Sequence, residues 1–144
     1  MIHNVNSINA FYFWSKYENW ITITNNNMDI LWKFKTFGEY HADILQDRYL
    51  LLYGHNIKLY DLKSHKLLWE IEQPLTSNYV INGNNLYFIS NEVATAIDLS
   101  TGSILWFVEV KGGRKVFEAC NMIFFINSWT LKPLSMITGI RKID

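Results

Sequence analysis

The sequence predicts an all-β chain assembled from four repeats, and three observations carry that prediction. Trp32, Trp69 and Trp106 stand 37 residues apart, and Thr101-Gly102 recurs as Thr138-Gly139 at the same interval. Within each interval, β-branched and aromatic runs alternate with turn residues, four runs to a repeat. No stretch holds a helical apolar period long enough for several turns of helix. A repeat of this length is an architectural unit that buries its faces against its neighbours.

Cutting the chain at the period gives four gapless lines that start at Met1, Gly38, Leu75 and Gly112. The first line shows strands "FYFWSK", "NWITIT" and "DILWKFK". The second is the clearest, with "YHADIL" (40–45), "RYLLLYG" (48–54), "IKLYDL" (57–62) and "KLLWEIE" (66–72) punctuated by "QD", "GHN" and "KSH". The third repeats it with "SNYVIN", "NLYFIS", "VATAIDL" and "SILWFVEV", and the fourth with "KVFEA", "NMIFFIN", "TLKPLSMI" and "GIRKID". The second strands ("YLLL", "LYFI", "MIFFI") are apolar on both faces, as a strand sandwiched between neighbouring sheets must be. A lone four-stranded meander has two faces to cover, and radial repetition covers both. The prediction is therefore a small four-bladed β-propeller of four gapless 37-residue four-stranded repeats, in a single domain, 1–144, with blades near 1–37, 38–74, 75–111 and 112–144. A β-solenoid suits the repeat length less well.

Composition bounds the chemistry. The 144 residues are 49% hydrophobic and 16% aromatic, enough for one well-buried core. Thirteen basic residues balance thirteen acidic ones, so the chain lacks the electrostatic footprint of a direct nucleic-acid binder. The single cysteine, Cys120, has no intrachain partner, and its setting beside Met122 and Ile123 predicts core packing. No segment approaches a membrane span, and "MIHNVNSINAFYFW" has no leader-like pattern, so a soluble, cytoplasmic protein is expected.

The line "LYFISNEVATAIDLSTGSILWFVE" resembles the pyrroloquinoline-quinone-type propeller repeat, the tryptophan-docking repeat of quinoprotein alcohol dehydrogenases, with its A-x-D-x-x-T-G-x-x-x-W pattern. Here the aspartate column holds Asp61 and Asp98, and the turn holds Ser64-His65, Thr101-Gly102 and Thr138-Gly139. The first line departs, with Thr24 in the aspartate column and Asn27-Met28 in the Thr-Gly column; the fourth departs at Ser135 and Ile143. The resemblance implies the fold over essentially the whole chain. Its enzymatic members use about eight blades, a bound calcium and a cysteine pair, whereas this chain has four repeats and one cysteine. No cofactor and no enzymatic activity are expected, although a homodimer could place four blades beside four.

Other chemistry finds no support either. His3, His41, His55 and His65 lack metal-ligand spacing, and His65 falls in a turn column where a solvated residue is expected. Asp43 and Glu118 fall in first strands near the expected channel, where Arg114 or Lys115 could neutralise them. No nucleophile elbow and no glycine-rich phosphate loop are present.

A binding surface remains. In a propeller, the loops joining consecutive blades and the second-to-third-strand turns gather on one rim. Those columns place Tyr17, Phe37, Tyr40, His55 and Trp129 within reach of water, beside Glu18, Glu39 and Glu92, with His41 and Asp43 on the adjoining strand. Aromatics with charges on one rim have the composition of a protein-binding hot spot. The expectation is a stand-alone bacterial module, monomer or homodimer, with a protein partner: an immunity-type inhibitor of a cognate toxin such as a nuclease, whose basic site the carboxylates would meet. A scaffold or adaptor, and a small-ligand or sugar binder stacking on Trp129 and Tyr17, are the alternatives.

Overall fold

The computed structural model describes residues 8–14, 18–76, 78–127 and 141–142, and every regular element among them is a strand. The chain forms two compact units, Met1–Pro74 and Leu75–Asp144. Each contains two antiparallel sheets.

In the first unit, β1 (Ile8–Trp14), β2 (Asn19–Asn25) and β3 (Ile30–Thr36) form one meander, and β4 (Tyr40–Leu45), β5 (Tyr49–Gly54), β6 (Ile57–Asp61) and β7 (Leu67–Ile71) form the next. Side chains alternate across a strand, so Ile21 and Ile23 of β2 share one face and meet Leu50, Leu52 and Tyr40 of the second sheet in a buried cluster. Leu50, Leu51 and Leu52 are all fully buried, as the doubly apolar second strand predicts.

The second unit repeats the arrangement. Strands β8 (Tyr79–Asn82), β9 (Asn85–Ser90), β10 (Val93–Asp98) and β11 (Ile104–Glu109) form its four-stranded sheet. Strands β12 (Gly113–Ala119), β13 (Met122–Asn127) and β14 (Arg141–Lys142) form a three-stranded one. Tyr87, Ile89, Ala94 and Ala96 pack against Val116, Ile123 and Phe125. Asn78 clamps the pair: its carboxamide accepts from the Val116 amide at 3.2 Å and donates to the Val116 carbonyl. The strand expected at 130–137 lies outside the described residues. Arg141–Lys142 pairs with Met122–Ile123, on the side of β13 that corresponds to the side of β9 flanked by β10.

Trp32 and Trp106 dock as the repeat predicts. Trp32 lies parallel to the His65 imidazole, with centroids 4.3 Å apart and planes 3° apart, and edge-on to Tyr60 at 5.5 Å. Trp106 meets Phe125 edge-on at 5.8 Å. Both rings therefore leave their own sheet to cover the next one in sequence. His65 is exposed, as its turn position suggests, yet one face of its ring is covered by Trp32.

The turn that aims each tryptophan is built by one acceptor side chain. Asp61 Oδ2 accepts from the Ser64 amide at 2.7 Å, and Asp98 Oδ1 accepts from the Ser100 and Thr101 amides, both at 3.0 Å. Four residues on, the backbone enters the left-handed region, at φ 62° for His65 and 75° for Gly102. Glycine adopts this conformation without strain; histidine does not.

The first repeat corrects the gapless alignment. Asn25 rather than Thr24 takes the aspartate's place: its Oδ1 accepts from the Asn27 and Asp29 amides at 2.9 and 3.0 Å, and Met28 takes the left-handed position at φ 65°. The turn ahead of Trp32 is thus one residue shorter than the turns ahead of Trp69 and Trp106. The cross-strand pairs Ile23–Trp32, Leu59–Trp69 and Ala96–Trp106 show the same offset, each followed by a register shift. A carboxamide oxygen accepts the same amide hydrogens as a carboxylate, so the turn survives the shortening.

Cys120 also departs from expectation. It is exposed, at φ 50°, and shares a two-residue hairpin turn with Asn121 at φ 59°. The period-two alternation ends at Ala119, so the neighbouring Met122 and Ile123 belong to the next strand and do not enclose the thiol.

Candidate functional site

The loop from β3 to β4 and the turn from β5 to β6 meet at one edge of the second sheet. Gly38, at φ 98°, makes the approach possible: a Cβ there would sit 2.8 Å from His55 Cε1. The Gly38 carbonyl accepts from the Tyr12 hydroxyl and from Thr36 Oγ1, both at 3.3 Å. Anchored in this way, the loop carries the Phe37 side chain outward, 95% exposed.

A polar network lies beneath that loop. The Tyr40 hydroxyl donates to Asn56 Oδ1 at 2.7 Å and lies 3.1 Å from His55 Nε2. The hydroxyl has one proton, so with Asn56 as its acceptor, His55 Nε2 must carry hydrogen and donate to the Tyr40 oxygen. Asn56 Nδ2 donates to Glu70 Oε1 at 2.8 Å, and Lys58 Nζ stands 4.0 Å from the same oxygen. Tyr40 is only 4% exposed. The expectation that water reaches it is corrected: alternation along β4 turns its ring into the core and leaves only the hydroxyl at the network.

On the next positions of β4, exposed His41 stacks on Tyr53 with centroids 5.2 Å apart. Burial, and then the Asp43 carboxylate, push the Tyr53 phenol up to about 12. Tyr12 is also raised, by burial first and by Glu39 second. The structure thus brings Phe37, Glu39, Tyr40 and His55 to the place where the β3–β4 loop meets the β5–β6 turn, while His41 and Asp43 lie along β4 against Tyr53.

Glu18 and Glu92 have structural work of their own. Glu18 accepts from Lys35 Nζ at 2.7 Å and from Trp20 Nε1 at 2.9 Å, and Lys35 holds its carboxyl below the ordinary carboxylate range. Glu92 lies in the second unit, where its carboxylate accepts from the Gly112 amide at 2.8 Å and its carbonyl from the Val110 amide at 2.7 Å. This repeats the juxtaposition of a second-to-third-strand turn with a loop between sheets. Glu118 is exposed and accepts from Asn82 Nδ2 at 3.1 Å. Tyr17 and Trp129 lie outside the described residues.

Sequence reasoning missed Tyr12, Gly38, Asn56 and Glu70. The glycine at a repeat boundary and the "GHN" turn were the signals for two of them; the Glu70 contact depends on strand register and has no local mark. Among the described residues, no group of three or more His, Cys, Asp or Glu side chains could hold a metal ion.

No protein-family model and no curated protein matches the chain. Among solved structures it is similar to BamB from Moraxella catarrhalis, at 14% identity and a TM-score of 0.59, covering 87% of this chain and 46% of that one. It is similar to the N-terminal domain of Nup159 at 12% identity and a TM-score of 0.58, covering 81% of this chain and 35% of that one. A europium-containing methanol dehydrogenase matches at 14% identity and a TM-score of 0.51, covering 70% of this chain and 23% of that one. The chain spans less than half the length of each of these three. The likeness supports a β-propeller fold, and the sheets and docked tryptophans point to the same fold.

Proposed function

We propose that the chain is a non-catalytic, protein-binding propeller module whose contact patch is the Phe37 edge, and that its partner is a cognate toxin, such as a nuclease, which it neutralises in the manner of an immunity protein. The observation that carries the reading is Phe37 itself: a large aromatic ring, 95% exposed, on a loop fixed by two hydrogen bonds and underlain by a satisfied polar network. An exposed aromatic on a rigid support binds with little ordering cost, as hot-spot residues do. Glu39 beside it supplies the charge that a basic partner would meet.

The test is capture from the source cell with tagged wild type and Phe37→Ala side by side, with mass spectrometry of what co-elutes and a map of its gene. The expected result is a stoichiometric protein encoded directly upstream, retained by wild type, weakened by Phe37→Ala, and inactivated by the complex. Capture of a large assembly that both forms retain equally would favour a scaffold and remove Phe37 from the contact. Absence of any protein partner would sink the reading.

A further inference from the structure

The first sheet turns Ile21 and Ile23 toward the second sheet, so alternation sends Trp20, Thr22 and Thr24 to its opposite face. A cavity of about 370 Å³ opens on that face. Its walls are Phe11, Trp20, Met28 and Ile30, and its base carries Thr22 and Thr24. The two threonines are 6% and 3% exposed, and neither Oγ1 has a hydrogen-bond partner among the described residues.

That is an unusual choice of residue. Valine has the same shape and the same strand preference, and it would remove the cost of burying a hydroxyl that bonds to nothing. Two unmet hydroxyls on one strand face of one cavity therefore point to something that bonds them. The charge at the cavity points the same way. Lys33, opposite Thr22 on β3, makes no salt bridge among the described residues, and its ammonium stands over Trp20 at 4.6 Å from the ring centroid. Lys35 is committed to Glu18 at 2.7 Å, whereas Lys33 acts on that carboxylate only as a more distant charge.

We propose that this cavity binds a small anionic amphiphile, an aromatic or aliphatic acid whose apolar body lies on Phe11, Met28 and Ile30 while its acidic head bonds the Thr22 and Thr24 hydroxyls and Lys33. Apolar walls with a few convergent polar groups are the composition of small-molecule sites, and the volume falls in their range of about 300–1,000 Å³. The proposal is independent of the Phe37 edge and of any protein partner there.

The test uses the whole chain and two fluorescent probes of similar shape: anilinonaphthalene sulfonate, which is anionic, and N-phenylnaphthylamine, which is not. Wild type should bind the sulfonate saturably at one site and more than about tenfold more tightly than the amine, tenfold being the factor that one charge-assisted hydrogen bond supplies. Lys33→Gln should cut that preference about tenfold while leaving amine binding unchanged. The pair Thr22→Val with Thr24→Val should weaken sulfonate binding about tenfold while melting no lower than wild type, which a merely structural role for the hydroxyls would not allow. Equal affinity for the two probes, binding indifferent to these substitutions, or no saturable binding would each overturn the proposal. So would a concentration-dependent dimer that the sulfonate dissociates, which would assign this face to a second copy of the chain.

Discussion

His65 sets two opposing effects on one residue, and substitution separates them. Its backbone sits at φ 62°, a conformation that costs a non-glycine residue about 1 kcal/mol or more. Its ring lies flat on Trp32 at 4.3 Å, a contact worth about 0.5–1.5 kcal/mol beyond buried area. His65→Ala loses the stack and keeps the strain, so it should destabilise by about 1 kcal/mol. His65→Gly loses the stack and releases the strain, so it should lie within about 0.5 kcal/mol of wild type. The expected signature is the gap of about 1 kcal/mol between the alanine and glycine forms, or roughly 3 °C in Tm for a chain of this size.

Urea denaturation followed by tryptophan fluorescence measures the gap. A Trp32→Leu background supplies the control: with no ring to stack on, His65→Ala should be nearly neutral and His65→Gly stabilising. If alanine and glycine proved equally stable in the wild-type background, the left-handed turn would be refuted. If both variants lost well over 1 kcal/mol in the wild-type background while the gap between them held, the stack would outweigh the backbone and the magnitudes above would be wrong.

Trp69 is 8% exposed, so Trp69→Ala should cost about 3–5 kcal/mol in a denaturation experiment, whereas half-buried Trp106 should cost about half as much. Tyr53 predicts an alkaline limit. Its phenol is raised from 10.0 to about 12, so above pH 10 the folded chain holds a proton that the unfolded chain has lost. Stability should be level below pH 10 and fall between about 10 and 12, and Tyr53→Phe should flatten that fall in a pH series of melting curves. Asp98 predicts the acid side: the Ser100 hydroxyl, with the Thr101 amide, holds its carboxyl below the ordinary range, so its contribution is complete above that range and is lost as pH falls through the folded value. Asp98→Ala should cost about 1–2 kcal/mol by chemical denaturation and Asp98→Asn clearly less, because Asn25 performs the same task in the first sheet.

How far the sequence discloses this fold depends on what each turn requires. Tryptophan spacing locates the last strand of each sheet because a ring as large as Trp32 or Trp106 is placed there to cover the next sheet. Asp61 and Asp98 locate the turns because a short acceptor must bond amides two and three residues on. The one-residue offset in the first repeat is hidden for the same physical reason: asparagine and aspartate offer equivalent oxygens, so "TNNNMD" contains several residues able to do the task, and only the bonds single out Asn25. Cys120 is hidden differently. Its apolar neighbours in sequence lie beyond a turn that takes two left-handed residues, and composition does not show where a strand stops.

Of the candidate site, loop placement is what the sequence discloses, because it follows from strand order alone; the repeat columns name the loops that carry Phe37, Glu39 and His55. Which carboxylates remain available depends on partners that strand register supplies. Lys35 lies one strand away from Glu18, the Gly112 amide lies twenty residues from Glu92, and Asp43 faces the Tyr53 phenol. Glu39 alone of the four makes no such bond among the described residues. A ring of free acids steering toward a basic partner therefore reduces to one carboxylate beside one exposed ring. Steering by one exposed charge is weak and salt-screened, whereas desolvating an aromatic ring the size of Phe37 is worth about 1.5–3 kcal/mol. Binding at this edge should accordingly vary little with ionic strength and strongly with the identity of residue 37. A complex whose affinity collapsed between low and high salt would place the contact elsewhere on the chain.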